Sequence, residues 1–138
     1  MNAPQLLEFI SQHPLLILAF LGVSGLLLFT ELRTRLSGMK QIGITQATQL
    51  SNRSNALFLD IRDTPDYDTG HIPDSVHIPL KQLSERSAEL EKYRDRPVIA
   101  YCRSGNRSTS AGSALKKLGF ENVYNLSGGI SAWQSANL

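Results

Sequence analysis

Cysteine is scarce in this chain of 138 residues, which contains only Cys102. A single cysteine excludes a disulfide within the chain and any metal site built from several of its own thiolates. A lone thiol is also more typical of a reducing compartment than of an oxidising one. Because a lone cysteine is most often a small buried apolar residue, its neighbours must decide whether Cys102 is structural or reactive.

An excess of positive charge is missing from most of the chain. From residue 41 onward there are 11 Lys and Arg residues against 10 Asp and Glu residues. Nucleic-acid binding leaves a basic stripe on a domain, and this nearly neutral stretch has none. The composition, 41% apolar and 19% charged, is that of a globular protein. We therefore expect no nucleic-acid partner.

Charged residues are absent from residues 9–30, a run of 22 positions. A helix of that length spans about 33 Å, close to the roughly 30 Å of a bilayer's hydrocarbon core. We predict that residues 1–36 are a membrane anchor with a transmembrane helix over about residues 14–32. A cleaved signal peptide and a buried core helix remain alternatives. The missing Lys or Arg before the run disfavours the first, and its apolar circumference disfavours the second.

The residues that flank this run predict its orientation. Arg33, Arg35 and Lys40 follow it, whereas no Lys or Arg precedes it. By the positive-inside rule the C-terminal side is cytoplasmic. We therefore predict a single-pass protein of the inner (plasma) membrane, with its N-terminus outside and its soluble domain in the cytoplasm. The lipid bilayer is the partner that this segment implies.

After a short linker at residues 37–40, strand-like and helix-like stretches alternate through residues 41–138. This alternation predicts an α/β domain with a mainly parallel central sheet of about five strands flanked by helices. The predicted strands cover residues 41–44, 56–61, 75–78, 97–101 and 123–126, and the predicted helices cover residues 45–50, 64–70, 80–93, 106–118 and 129–136.

Cys102 directly follows the clearest of these strands, PVIAY at residues 97–101, and a helix is predicted to begin a few residues later. Backbone N–H groups at a helix N-terminus attract anions. Arg103 and Arg107 add positive charge, and all these effects favour a thiolate. Gly105 lets the backbone approach a ligand closely. The sequence therefore predicts that Cys102 is a nucleophile beside an anion-binding loop.

The loop CRSGNRS at residues 102–108 resembles the active-site loop of the rhodanese family. Three further segments resemble that family in order and spacing. They are LDIR with the following Tyr67, GHIP and IP at residues 59–79, LGF with Val123 at residues 118–123, and LSGG with Trp133 at residues 126–133. The resemblance covers about residues 41–138, and an anchor followed by one such domain is similar to membrane-bound bacterial rhodaneses. Asp74 and Ser75 replace the usual Gly-Ala pair, and His77 stands where Asn is frequent.

The resemblance implies a thiosulfate sulfurtransferase without a cofactor or a metal. Cys102 would take up sulfane sulfur as a persulfide, from thiosulfate or a persulfide donor. The residues implied to bind the small anionic donor are Arg103, Ser104, Gly105, Asn106 and Arg107. Because the chain has no second cysteine, the acceptor would be external: cyanide in an assay, and a small-molecule or protein thiol in the cell.

Two other functions remain open. One is a membrane-tethered sulfur carrier or scaffold with little turnover. The other is a phosphatase of the Cdc25 type or an arsenate reductase. Those enzymes place arginine six positions after cysteine, where this chain has Ser108, whereas Arg107 is only five positions after Cys102.

Three polar residues outside the loop have structural or functional interpretations. Asp60 and Arg62 are expected to form a structural pair in a turn, with orientation of the active loop as the alternative. His71 is expected to be a hydrogen-bonded turn residue rather than a general base.

Overall fold

The computed structural model describes residues 2–36 and 39–136, which form two compact units separated near residue 37. Ser37 and Gly38 of the predicted linker lie outside the described residues, as do the last two residues of the predicted domain. The side chains of Arg33 and Arg35, on which the predicted orientation rests, also lie outside them.

The N-terminal unit consists of two helices, α1 (Ala3–Gln12) and α2 (Pro14–Leu36). Proline tolerates the first position of a helix because its missing N–H would have no partner there, and Pro14 begins α2. Within α2, the 19 residues of Pro14–Leu32 have a mean hydropathy of 2.3 and are long and apolar enough to cross a membrane. Their large apolar side chains are exposed, as in Leu15 at 81%. Helix α1 was not predicted from the sequence.

The second unit contains a five-stranded sheet in the order β1-β5-β4-β2-β3. Every neighbouring pair of strands is parallel, which confirms the predicted α/β fold. The strands are β1 (Lys40–Ile42), β2 (Leu57–Asp60), β3 (Val76–His77), β4 (Val98–Tyr101) and β5 (Val123–Leu126). The helices of this unit are α3 (Ile44–Ser54), α4 (Thr64–Thr69), α5 (Ser108–Lys117) and α6 (Gly129–Ser135).

Three helical predictions differ from the structure. The helix predicted over residues 45–50 is α3, which runs four residues further, to Ser54. The helix predicted over residues 80–93 is a pair of short 3₁₀ helices, Leu80–Gln82 and Ser87–Tyr93. Short 3₁₀ turns suffice to bring Leu83 and Leu90 into the core. Helix α5 begins at Ser108, two residues later than predicted, because the preceding residues form the loop after β4.

The core lies on both faces of the sheet, and β4 contributes to each. Because successive strand residues point to opposite faces, Val98 and Ala100 join one apolar cluster, while Ile99 and Tyr101 join the other. Cys102 continues the first of these faces, where α5 and the 3₁₀ helices cover the sheet. Cys102, the residue after the central strand, is thus held in place by packing against this apolar cluster.

Candidate active site

Cys102 lies at the carboxyl end of β4, the middle strand of the sheet. Ligand sites in parallel α/β sheets lie beyond this end of the strands. The side chain of Cys102 is only 2% exposed. Its sulfur is 3.1 Å from the backbone nitrogen of Gly105, which donates a hydrogen bond to it, and 3.7 Å from the hydroxyl oxygen of Ser108. The thiol therefore lies beneath a loop that surrounds it with donors.

Gly105 allows the loop to close over the sulfur. Its φ of +92° is in the left-handed region, which L side chains rarely adopt. A Cβ atom at this position would lie 3.3 Å from the backbone nitrogen of Gly128 and 3.3 Å from the carbonyl oxygen of Leu126. Glycine is thus required for the backbone angle and favoured by the narrow space between the loop and the end of β5.

The surroundings lower the pKa of the Cys102 thiol below its ordinary value. Burial alone would raise this pKa, because it penalises the thiolate. Hydrogen bonds outweigh that effect: the backbone N–H and the hydroxyl of Ser108 contribute most, followed by the backbone N–H groups of Ser104 and Arg107. The main donors are therefore the predicted backbone N–H groups together with the Ser108 hydroxyl, whereas the side chains of Arg103 and Arg107 are not among the main causes.

The start of α6 holds the other side of the loop. The backbone N–H of Ile130 donates to the carbonyl oxygen of Cys102 at 2.8 Å, and that of Ser131 donates to the carbonyl oxygen of Arg103 at 3.2 Å. A Cβ atom on Gly129 would lie 2.2 Å from the carbonyl oxygen of Cys102. Because real atoms do not approach so closely, only glycine permits this contact between the loop and the helix.

The side chains of four predicted site residues face solvent: Arg103, Ser104, Asn106 and Arg107. Arg103 is 73% exposed, and one of its terminal nitrogens lies 3.1 Å from a carboxylate oxygen of Asp66 on α4. Arg107 is the N-cap residue of α5. The loop thus presents two cationic side chains outside and a ring of backbone donors inside.

Asp60 and Arg62 form a buried ion pair, with 2.7 Å between their closest atoms. The guanidinium of Arg62 also donates to the carbonyl oxygen of Gly70 at 2.7 Å. Burial alone would lower the pKa of Arg62. The hydrogen bonds and the charge of Asp60 outweigh burial, so the pKa of Arg62 is raised above its ordinary value. The pair ties the end of β2 to the segment after α4.

His71 packs against α4 rather than facing the thiol. Its ring stacks on Tyr67 with 3.8 Å between the ring centroids, and its Nδ1 lies 3.0 Å from the carbonyl oxygen of Tyr67. His77 stacks on Tyr67 from a centroid distance of 4.3 Å, and its Nε2 lies 2.8 Å from the carbonyl oxygen of Arg62. The contacts of His71 are thus those of a hydrogen-bonded turn residue, as the sequence predicted.

The turn that precedes β3 explains the departures from the family pattern. Asp74 has a φ of +60°, a conformation that glycine favours and that Asp tolerates better than most residues. Ser75 next to it accepts a hydrogen bond from the Tyr101 hydroxyl at 3.2 Å. The turn therefore keeps a left-handed residue without glycine.

Sequence reasoning missed one part of the site, a set of buried polar side chains beneath the loop. Ser108 is fully buried and donates its hydroxyl hydrogen to the side-chain oxygen of Asn125. Asn125 is 1% exposed in β5, and its amide also contacts the side chain of Gln41 in β1. A polar residue at a buried strand position was the available signal, because such groups need partners.

Comparisons with known proteins agree with this geometry. The family model for the rhodanese-like domain matches residues 44–136. The uncharacterized protein YibN of Escherichia coli K12 is 33% identical over 97% of this chain and 94% of its own length, so the match extends into the N-terminal unit. The thiosulfate sulfurtransferase GlpE of Pseudoalteromonas translucida is 37% identical over 70% of this chain and 90% of its own length.

A solved structure with a rhodanese-related name is also similar to this chain. The crystal structure of a rhodanese-related protein from Thermoplasma volcanium superposes with a TM-score of 0.62 and is 30% identical, covering 70% of this chain and 92% of that one. Its extent corresponds in size to the second unit alone.

Proposed function

Since the chain belongs to the rhodanese-like domain family, we propose that it is a sulfurtransferase that carries sulfane sulfur on Cys102. The observation that supports this most directly is the buried thiol at the end of the central strand, enclosed by hydrogen-bond donors that lower its pKa. A thiolate at neutral pH is the form that attacks sulfur. The family relation supports sulfur transfer in general, and the thiolate supports the persulfide route.

In the proposed first half-reaction, the Cys102 thiolate attacks the outer sulfur of thiosulfate. A new sulfur–sulfur bond forms, and the bond between the outer and central sulfur atoms of thiosulfate breaks. The electron pair of that bond leaves with sulfite. No proton is transferred, because both the nucleophile and the leaving group are anions. The donors around Sγ would then stabilise the persulfide anion.

The second half-reaction needs an external nucleophile, because the chain has no other cysteine. Cyanide or a thiolate would attack the outer persulfide sulfur, and the Cys102 thiolate would be regenerated. Arg103 and Arg107 have exposed guanidinium groups, which would attract the anionic donor and acceptor. The loop length favours sulfur over phosphate, because Arg107 follows Cys102 by five residues rather than six.

The test uses the full chain in detergent and its Cys102→Ser variant. We expect thiosulfate:cyanide sulfurtransferase activity in the wild type, and none above background in the variant. Mass spectrometry of the wild type after thiosulfate should show a gain of about 32 Da, the mass of one sulfur atom, on Cys102. A folded wild-type protein that neither turns over nor gains this mass would exclude the proposal and favour a scaffold role.

We also propose that α2 anchors the protein in the inner membrane with the rhodanese domain in the cytoplasm. The support is the span Pro14–Leu32 with its exposed apolar side chains, together with the basic residues that follow it in the sequence. The protein should remain with membranes after an alkaline wash. Its C-terminal domain should resist protease added to intact spheroplasts. Degradation of that domain would show that it lies outside, the opposite of the proposed orientation.

A further inference from the structure

A buried amide connects the edge strand of the sheet to the cysteine loop. The strand register pairs Asn125 of β5 with Gln41 of β1 on one side and with Ala100 of β4 on the other. Asn125 therefore lies one strand away from the strand that leads into Cys102. It is 1% exposed, so every polar atom of its side chain needs a partner within the protein.

The partners of Asn125 fix the orientation of its amide. Its Nδ2 lies 3.0 Å from the carbonyl oxygen of Gly105 and 2.6 Å from the side-chain oxygen of Gln41. A carbonyl oxygen can only accept, so the atom that faces Gly105 must be the nitrogen. The oxygen of Asn125 then accepts the hydroxyl hydrogen of Ser108. The amide uses both of its N–H groups and its oxygen.

These bonds control which way the loop presents its dipoles to the sulfur. Gly105 donates its own N–H to the sulfur of Cys102 at 3.1 Å, while its carbonyl oxygen is bound by Asn125 on the other side. Released from Asn125, that carbonyl would keep only its longer contact with the Ser108 hydroxyl, at 3.2 Å, and could turn its negative end toward the thiolate. We propose that Asn125, oriented by Gln41, is a positioning residue that keeps the Gly105 N–H of the cysteine loop aimed at the sulfur.

Ser108 adds a second link between Asn125 and the sulfur. Its hydroxyl carries one hydrogen, which Asn125 accepts, and its oxygen lies 3.7 Å from the sulfur of Cys102. A thiol can donate to that oxygen without disturbing Asn125. A thiolate needs the hydroxyl hydrogen itself, so the side-chain oxygen at position 125 competes with the thiolate for one proton.

Because of this competition, Asn125→Asp is an informative variant for testing the role of Asn125. The carboxylate has the shape of the amide, but it offers Gly105 an acceptor instead of a donor. It also holds the Ser108 hydrogen more strongly and adds a negative charge. All three changes disfavour the thiolate. The other charged groups near the loop stay the same: Arg103 and Arg107 are exposed, and the Asp60–Arg62 pair is internally neutral.

The inference rests on the proposed function only in taking Cys102 as the reactive atom, so the test does not depend on turnover. The full chain in detergent is alkylated with iodoacetamide across the pH range, and a single cysteine makes the product unambiguous. The alkylation midpoint is the pH at which the rate reaches half of its maximum. For Asn125→Asp we expect this midpoint to move to higher pH, and the rate at pH 7 to fall by about tenfold. Asn52→Asp, which adds the same charge on the exposed face of α3, should leave the midpoint unchanged.

Gln41 supplies a second pair of variants, at an exposed position where folding is not at risk. Gln41→Leu removes the acceptor that orients Asn125 and should move the midpoint in the same direction by a smaller amount. Gln41→Glu keeps an acceptor and should lie closer to the wild type. If Asn125→Asp does not fold, the two Gln41 variants alone test whether Asn125 has a positioning role.

The inference is overturned if folded Asn125→Asp keeps the wild-type alkylation profile, or if the two Gln41 variants behave alike. Thiosulfate:cyanide assays on the same samples separate it from the proposed function. An inactive wild type with a shifted Asn125→Asp midpoint supports the positioning role and refutes the sulfurtransferase. An active wild type with an unshifted midpoint does the reverse.

Discussion

The inner and outer sides of the cysteine loop use different interactions for different purposes. On the inner side, Cys102, Gly105 and Ser108 are buried. The Gly105 N–H donates to the Cys102 sulfur, and the Ser108 hydroxyl oxygen lies 3.7 Å from that sulfur. On the outer side, Arg103 and Arg107 extend into solvent. Fixed dipoles act strongly where water is excluded, whereas exposed charges are screened. The inner side therefore favours the thiolate form of the sulfur, and in the proposed function the outer side would attract the anions that react with it.

The most severe way to break the inner side is Gly129→Ala. The new Cβ would lie 2.2 Å from the carbonyl oxygen of Cys102, at a position whose φ is +56°, so the loop must move away from α6. Displacing a reacting group by about 1 Å costs about 100-fold in rate. We expect sulfurtransferase activity to fall by at least that factor, and the melting temperature to fall as well.

Gly43→Ala is the matched control, because a Cβ at Gly43 meets nothing within 4 Å and its φ is −82°. Activity should be that of the wild type. The melting temperature should fall only slightly, because Gly43 is the N-cap residue of α3 and alanine is less favourable than glycine there. Equal activity of the two variants would show that the contact between Gly129 and the loop does not define the site.

A milder break of the inner side is Ser108→Ala. The hydroxyl and the backbone N–H of Ser108 are the main causes of the lowered pKa of Cys102, and alanine keeps only the second. The pKa of the thiol should rise, so less of it is thiolate at neutral pH. A hydrogen bond to a charged group contributes about 1.5–3 kcal/mol, which predicts a fall of about tenfold or more in the alkylation rate at pH 7.

The pH profile checks the cause of this effect. Above the raised pKa, the Ser108→Ala protein should react as fast as the wild type, because both are then thiolates. Ser104→Ala is the comparison, because it removes an exposed hydroxyl but keeps the backbone N–H that acts on the sulfur. A rate deficit in Ser108→Ala that persists at high pH would point to a displaced loop instead.

The fold was predicted well from the sequence, as was the presence of Arg103 and Arg107 in the loop after Cys102, whereas their binding of a donor stays a prediction. Strand β4 is a short run of apolar and β-branched residues, and a buried parallel strand has this local pattern. The positions of Arg103 and Arg107 follow from their distance along the chain from Cys102. Such features depend on neighbouring residues, so one sequence is enough to find them.

The inner side was predicted less well because it depends on contacts between distant segments. Gln41 and Asn125 are 84 residues apart, and they meet only because β1 pairs with β5 in the sheet. The close approach of Gly129 to Cys102 likewise depends on how α6 packs. Local periodicity carries no information about these pairs. The sequence therefore predicted backbone donors and two nearby arginines around the thiolate, but not the contribution of the Ser108 hydroxyl.

The smallest predicted effect sharpens the outer side. A carboxylate oxygen of Asp66 lies 3.1 Å from a terminal nitrogen of Arg103, so in the proposed function Asp66 would compete with an anionic donor for the guanidinium. Exposed ion pairs contribute at most about 1 kcal/mol, a factor of about five in binding. Asp66→Asn should therefore lower the KM for thiosulfate by up to about fivefold, and Arg103→Gln should raise it. Neither variant should move the alkylation midpoint much, because Arg103 is exposed, Asp66 is only partly buried, and solvent screens the charges of both.

The double variant tests whether Asp66 acts through Arg103. If it does, Asp66→Asn should have no effect on KM once Arg103 is Gln, and the two changes should be non-additive. A KM that still falls in the double variant would mean that the carboxylate repels the donor directly. High salt adds a second criterion. It should shrink the difference between wild type and Asp66→Asn, because screening weakens an exposed pair, whereas the alkylation profile set by the inner side should stay the same.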